Sequence, residues 1–277
     1  MLGRVSGAEY ALLGYLLLGT VVAFFGVALP GYWLLRRVFP ESGWNLGGSV
    51  SVSAIRAFDL AAVGAFVAMY VLAWEGLLEG RAEITAERLV AGGVGMLMLA
   101  AVVPLLLFWR VDVLEYLGLR WREWRLVFII APVFVVGVFV VNLLVYFTGW
   151  PGWVEARFGG EAQEMVLVLM GTRDWRLMLA AVFAAVVVAP VAEELIFRAY
   201  IYPVVKRFSE KWFAALFSAM LFGVIHFNLK SFPVLMLMGL ALVALYEVTG
   251  SIWPPIACHA LFNATTMMII FSNVQAP

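Results

Sequence analysis

The chain has 277 residues, of which 65% are hydrophobic and only 13% charged, and its formal net charge is zero. Soluble domains carry roughly 25% charged residues, so a mean hydropathy of +1.00 points to an integral membrane protein, and the balanced charge gives no reason to expect a nucleic-acid partner. A single cysteine, Cys258, excludes an intrachain disulfide and a thiolate metal cluster.

A membrane-spanning helix needs about 20 mostly apolar residues. Read in chain order, the candidate runs are Ala11 to Leu35, Phe58 to Trp74, Leu89 to Trp109, Leu126 to Phe147, Leu177 to Val205, Phe213 to Phe227, Phe232 to Val248 and Ile252 to Phe271. The first contains Pro30 and is followed by Arg36-Arg37 without a small-residue cleavage site, so a retained helix is expected rather than a cleaved signal. Between the third and fourth runs, Val111 to Arg125 mixes apolar, aromatic and basic residues. That suits a segment lying in the interface with Trp121 and Trp124 at headgroup level. The stretch from Trp150 to Arg176 is Gly-rich and charged at its start, and its apolar run Met165 to Met170 is too short to span. A loop with a short surface helix is expected there. No internal repeat or linker divides the chain, so one membrane domain over residues 1–277 is the simplest reading. The expected fold is all-α, a polytopic bundle of about eight transmembrane helices with the active site inside it.

Ten Lys and Arg fall in the loops on one side of this topology and seven on the other, with Arg198 inside a helix. This bias places both termini outside and Lys206, Arg207 and Lys211 in the cytoplasm. Glu193 and His226 then both lie roughly 20 Å along their helices from the cytoplasmic ends, at 1.5 Å per residue. His259 is much nearer the start of its helix, so tilt or a re-entrant start at Pro254-Pro255 must close the gap.

Ionisable groups in hydrocarbon are costly, by at least ~2.5–3.5 kcal/mol for a central charge, and three constellations of them stand out. The first is Glu193-Glu194-Leu195-Ile196-Phe197-Arg198. Adjacent glutamates on a helix point about 100° apart. Glu194 and Arg198, four apart in the favoured order, are expected to pair and leave Glu193 facing the interior. There, in apolar surroundings, it would be a usable general base near neutral pH. Pro190 is expected to bend the helix and open its backbone. The second is Phe222-Gly223-Val224-Ile225-His226, and the third is His259-Ala260-Leu261-Phe262-Asn263. Two donors one turn apart, His259 and Asn263, could hold a developing negative oxygen, or they could serve as an interhelical polar clamp. His226 alone reads equally as a helix-to-helix hydrogen bonder.

Together and in this order, the three motifs resemble the CAAX protease and bacteriocin-processing family, also called abortive-infection-like or type II CAAX prenyl endopeptidases. The family pattern of Glu-Glu-x-x-x-Arg, Phe-x-x-x-His and His-x-x-x-Asn or Asp is present in full, within a catalytic core of roughly residues 177–272. The resemblance implies an eight-helix intramembrane glutamate endopeptidase, a hydrolase whose active site lies in a cavity open to the cytosol and which needs no cofactor or metal. By position, Glu193 with His226 would activate a water, His259 and Asn263 would stabilise the tetrahedral oxyanion, and Glu194 and Arg198 would support the site. Either histidine could reach the water. The expected partners are membrane lipid and a membrane-anchored or lipidated peptide, with prenylation left open by the motifs. The expected location is the plasma membrane of a prokaryote.

Other readings stay open at this stage. Two histidines and a glutamate could make a three-ligand zinc site, although the His-Glu-x-x-His helix is absent. Cys258 is a neighbour of His259, about 100° away on a helix, and reads as a packing residue rather than a nucleophile. The same polar pocket could serve a non-catalytic membrane binding or bacteriocin-immunity protein, or a small proton-coupled transporter, which the lack of a repeat disfavours. Asp59 and Glu247 read as interfacial, Asn142 as an interhelical hydrogen bonder, and Gly92-Gly93-Val94-Gly95 as a site of close helix packing.

Overall fold

Backbone N–H and C=O groups find no water in a bilayer core, so apolar runs of this length must satisfy them internally as helices. The computed structural model describes residues 7–39, 47–79, 84–158 and 164–274. Six of its segments are long and apolar enough to cross a membrane: Ala11–Val38, Ala86–Leu107, Trp124–Phe147, Trp175–Phe208, Phe232–Thr249 and Trp253–Ser272. Two shorter apolar helical stretches, Phe58–Tyr70 and Lys211–Val224, complete the eight expected runs.

In chain order, α1 (Gly7–Val21) leads through a π turn (Val22–Ala28) into α2 (Leu29–Val38), followed by α3 (Phe58–Glu79), α4 (Ala86–Leu107) and the one-turn α5 (Val113–Tyr116). After α6 (Val127–Phe147), the expected single surface helix is two, α7 (Trp150–Phe158) and α8 (Glu164–Gly171). The Trp175–Phe208 span follows as α9 (Trp175–Phe183), a π turn (Ala184–Val188), α10 (Ala189–Ile196), a second π turn (Phe197–Ile201) and α11 (Tyr202–Phe208). Then come α12 (Lys211–Val224), α13 (Phe232–Thr249) and α14 (Trp253–Val274).

The Trp175–Phe208 span is the axis of the bundle. In its most apolar stretch 39% of residues are buried by protein, against 11% for Ala86–Leu107 and 17% for Trp124–Phe147, so those two helices turn most of their surface to lipid. All three π turns end two residues before a proline: Pro30, Pro190 and Pro203. A helical proline has no N–H and its ring crowds the carbonyl four residues back. The chain answers by widening the turn. The residue before each proline donates to the carbonyl five back: Leu29 to Phe24, Ala189 to Ala184 and Tyr202 to Phe197.

Small residues let neighbouring helices pack closely. A Cβ on Gly239 of α13 would sit 3.0 Å from Ala219 Cα of α12, and one on Gly223 would meet the Phe232 ring at 3.1 Å. In the glycine-rich stretch of α4, Gly93 faces Val188 of the axial span, while Gly92 and Gly95 face open space. Asn142 is exposed on α6 rather than turned inward.

The end of the bundle that the charge count assigns to the cytoplasm is tied by polar groups. Arg36 donates to Arg207 O and Ser209 O at 2.8 and 2.6 Å, satisfying carbonyls at the end of α11. Lys206 is buried, not solvated as a loop charge, and pairs with Glu247 Oε1 at 2.5 Å, which also accepts from Tyr202 Oη at 2.6 Å. Asp59 is buried and held by Arg110 and Tyr200. Ile252 N donates to Leu117 O, and Trp253 Nε1 to Leu119 O. Of the two tryptophans expected at headgroup level, Trp124 is 54% exposed and Trp121 is half-buried.

Candidate active site

Glu193 and Glu194 sit in the middle of the axial span, on the turn between its two π turns. Both are buried, at 8% and 0% exposure. His226 lies just past the end of α12, where Phe227 takes a left-handed conformation (φ 50) that stops the helix. A bulky residue rarely adopts that conformation, and here it turns the chain back towards α13 immediately after the imidazole. His259 lies in the second turn of α14, which begins Trp253-Pro254-Pro255, with prolines at positions whose N–H would be unpaired in any case.

These elements bring five side chains together. Glu193 Oε2 lies 3.9 Å from His226 Nε2 and 3.9 Å from His259 Nε2. His226 Nδ1 is 2.6 Å from Phe222 O, and a carbonyl can only accept, so Nδ1 carries a hydrogen and Nε2 is the nitrogen turned to the glutamate. His259 Nδ1 is 2.9 Å from Glu194 Oε1, which also accepts from Arg198 Nη1 at 2.9 Å. His259 Nε2 faces the same glutamate oxygen from α14. Two imidazole nitrogens thus converge on one carboxylate oxygen, and Glu193 Oε2 has no hydrogen-bond partner among the described residues. Gaps of 3.9 Å between these atoms suit a small bridging molecule, and water is the simplest.

Phe222 proves to be more than a spacer. Its ring meets His226 edge-on at 4.8 Å, His259 at 5.7 Å and Phe197 at 5.5 Å, and the Arg198 guanidinium lies 4.3 Å from its centroid. One aromatic side chain thus touches both imidazoles and the buried cation. Its place one turn before His226 was visible in the sequence; its contact with His259, from another helix, was not. The first half of the chain also contributes a wall, since Tyr70 of α3 packs on Phe197 at 6.2 Å.

Asn263 is placed differently. It lies one turn beyond His259, and its Nδ2 donates to Ala185 O in the π turn at 2.7 Å. Cys258 is buried in an apolar cluster with Ala131, Val138, Val234, Met238 and Leu242, a packing environment. Among the described residues, no group of three His, Cys, Asp or Glu is arranged to hold a metal ion.

Spans and site together define a multi-pass integral membrane protein of the all-α class. Residues 175–265 match the family model described as Type II CAAX prenyl endopeptidase Rce1-like, so the resemblance carried by the three motifs holds over that segment. The "Putative membrane peptidase YdiL" of Bacillus subtilis (strain 168) is 33% identical over 89 residues, 32% of this chain and 36% of that protein. The chain thus aligns with about a third of that relative's length. No solved structure matches.

Proposed function

We propose that the protein is a membrane peptidase that hydrolyses a peptide bond in a membrane-associated substrate through a water activated by Glu193. The observation that carries this reading is the placement of Glu193 Oε2, buried and partnerless, at 3.9 Å from both His226 Nε2 and His259 Nε2. That separation is too long for a direct hydrogen bond and short enough for one water to bridge. The match to the Rce1-like family and the name of the Bacillus relative support the same class of reaction.

In this mechanism a water lies between Glu193 and His226. Glu193 takes one proton as the water oxygen bonds to the scissile carbonyl carbon. The carbonyl oxygen becomes an oxyanion, stabilised from α14 by His259 and by the second amide hydrogen of Asn263. For His259 to donate through Nε2, its ring must carry hydrogens on both nitrogens, with the Glu194 carboxylate accepting from Nδ1. Collapse of the tetrahedral species breaks the C–N bond, and the proton held by Glu193 passes to the departing amine. Glu194 and Arg198 hold His259 in place. The substrate we favour is a peptide anchored in the bilayer and lipidated near its C-terminus, because the site lies among membrane-spanning helices.

The direct test uses a farnesylated peptide in liposomes. Glu193→Gln should lower cleavage by about 10³-fold, and undiminished cleavage would remove Glu193 as the base.

A further inference from the structure

The π turn before Pro190 leaves one carbonyl without its expected donor. Ala189 N–H goes to Ala184 O, five residues back. In the same register the next carbonyl, Ala185 O, would accept from residue 190, which is a proline and has no N–H. A carbonyl enclosed by helices needs a partner. The donor comes from another helix, as Asn263 Nδ2 of α14 reaches Ala185 O at 2.7 Å.

We infer that Asn263 stands in for the missing amide hydrogen of Pro190, and that this bond fixes α14 against the helix bearing Glu193. Two side chains one turn apart then tie α14 to a single span, His259 to Glu194 and Asn263 to Ala185 O. One tie would leave the helix free to rotate about it; two set both its rotation and its height. His259 Nε2 is thereby held at its distance from Glu193. Asn263 is a positioning residue through the first of its two amide hydrogens, and the second remains for the oxyanion. The break at Pro190 is what makes the carbonyl available to a neighbouring helix. The positioning half of this inference rests on the peptidase reading; the bond-replacement half does not.

The test is a double-mutant cycle on the full chain in lipid bicelles, with Pro190→Ala, Asn263→Ala and the pair. Asn263→Ala should lower the melting temperature by about 3–6 °C. Adding Pro190→Ala, which restores an N–H facing Ala185 O, should recover at least about half of that loss, and the same change in the wild-type background should gain much less. Equal shifts in the two backgrounds would overturn the replacement. Cleavage of an internally quenched farnesylated peptide reads the positioning. Asn263→Ala should lower kcat by at least about tenfold with KM within about twofold, and the double variant should stay low, because its carbonyl is satisfied while the tie on α14 and the hydrogen for the oxyanion are both still missing. Recovery of kcat together with melting temperature would overturn the positioning role. Because the melting cycle needs no substrate, its failure is read separately from any failure of the peptidase reading.

Discussion

Asp59 and Glu193 are both buried acids in apolar helices, and their oxygens are treated in opposite ways. Asp59 Oδ1 accepts from Arg110 Nη2 at 3.0 Å and Tyr200 Oη at 2.6 Å, while Oδ2 accepts from Arg110 Nη1 at 2.7 Å and Arg56 N at 2.6 Å. Glu193 Oε2 has two imidazole nitrogens 3.9 Å away and no hydrogen bond among the described residues. The same asymmetry runs through the surrounding groups. Arg110 also donates to Ala54 O and Leu106 O, whereas Arg198 Nε and Nη2 and Glu194 Oε2 find no hydrogen-bond partner among the described residues. A saturated cluster holds helices together; one with unused valence has room for a reactant. Buried polar groups left unpaired are destabilising, so in the proposed peptidase the open cluster is where fold stability gives way to chemistry.

The sharpest way to break this comparison is to neutralise each acid in turn. Glu193→Gln should lower the cleavage rate by about 10³-fold, or roughly 4 kcal/mol, while melting at or above the wild-type temperature, because the variant buries a neutral amide where a carboxylate stood. Asp59→Asn should do the reverse. It breaks a bidentate pair with Arg110 and leaves the guanidinium without its countercharge, which costs about 3 kcal/mol of stability. The molecules that still fold should cleave at the wild-type rate. Unfolding in mixed micelles and turnover per folded molecule give the two readouts. A drop in stability for Glu193→Gln as large as that for Asp59→Asn would erase the distinction.

Phe222 tests whether the open cluster is organised or merely crowded. Its ring supports two imidazoles and the Arg198 cation, contacts worth about 1–2 kcal/mol beyond apolar burial. Phe222→Leu keeps the apolar volume nearly constant and removes the quadrupole. The expected result is about a tenfold fall in kcat with KM nearly unchanged, and Phe222→Tyr should retain more activity than leucine. Steady-state kinetics on a farnesylated peptide decide it; full activity for leucine would reduce Phe222 to filler.

Much of this was legible in the sequence, for identifiable reasons. Each of the eight apolar runs overlaps an observed helix because a bilayer leaves an apolar backbone few alternatives. The Glu194–Arg198 pair follows from i,i+4 spacing alone. The gap between His259 and Glu193 shows in the sequence and its closure does not, because closure depends on how deep α14 starts, and that is set by contacts with residues far away in the chain, such as Trp253 to Leu119 O. Asp59 and Glu247 were expected near the interface and do lie at helix ends, but both are paired rather than solvated. Their partners, Arg110 and Lys206, are 51 and 41 residues distant, beyond any local pattern. Asn142 is exposed instead of turned to a neighbouring helix, and a lone asparagine in an apolar run carries no sign of which way it faces. The π turns were hidden for a related reason. Pro190 announced a break, but the compensating donor sits 73 positions later, in a motif that already had another reading.

The weakest expected effect lies away from both clusters. Lys230, in the turn that follows His226, pairs with Glu155 of α7 at 3.2 Å, and the glutamate side chain is 69% exposed. Trp150 Nε1 of the same helix donates to Leu229 O at 3.1 Å, and Val154 packs with Leu229. The buried contacts alone therefore seat α7 over the turn, and an exposed ion pair adds at most about 1 kcal/mol. Lys230→Met should change the melting temperature by no more than about 2–4 °C and leave cleavage within about twofold, with the difference shrinking further at high salt. Trp150→Phe removes the indole donor to a carbonyl beside the site and should be the more damaging of the two by both measures. If Lys230→Met instead matched Trp150→Phe in lost activity, charge at this turn would have to be counted with the open cluster, and the boundary between structural and reactive polar groups would move outward from Glu193.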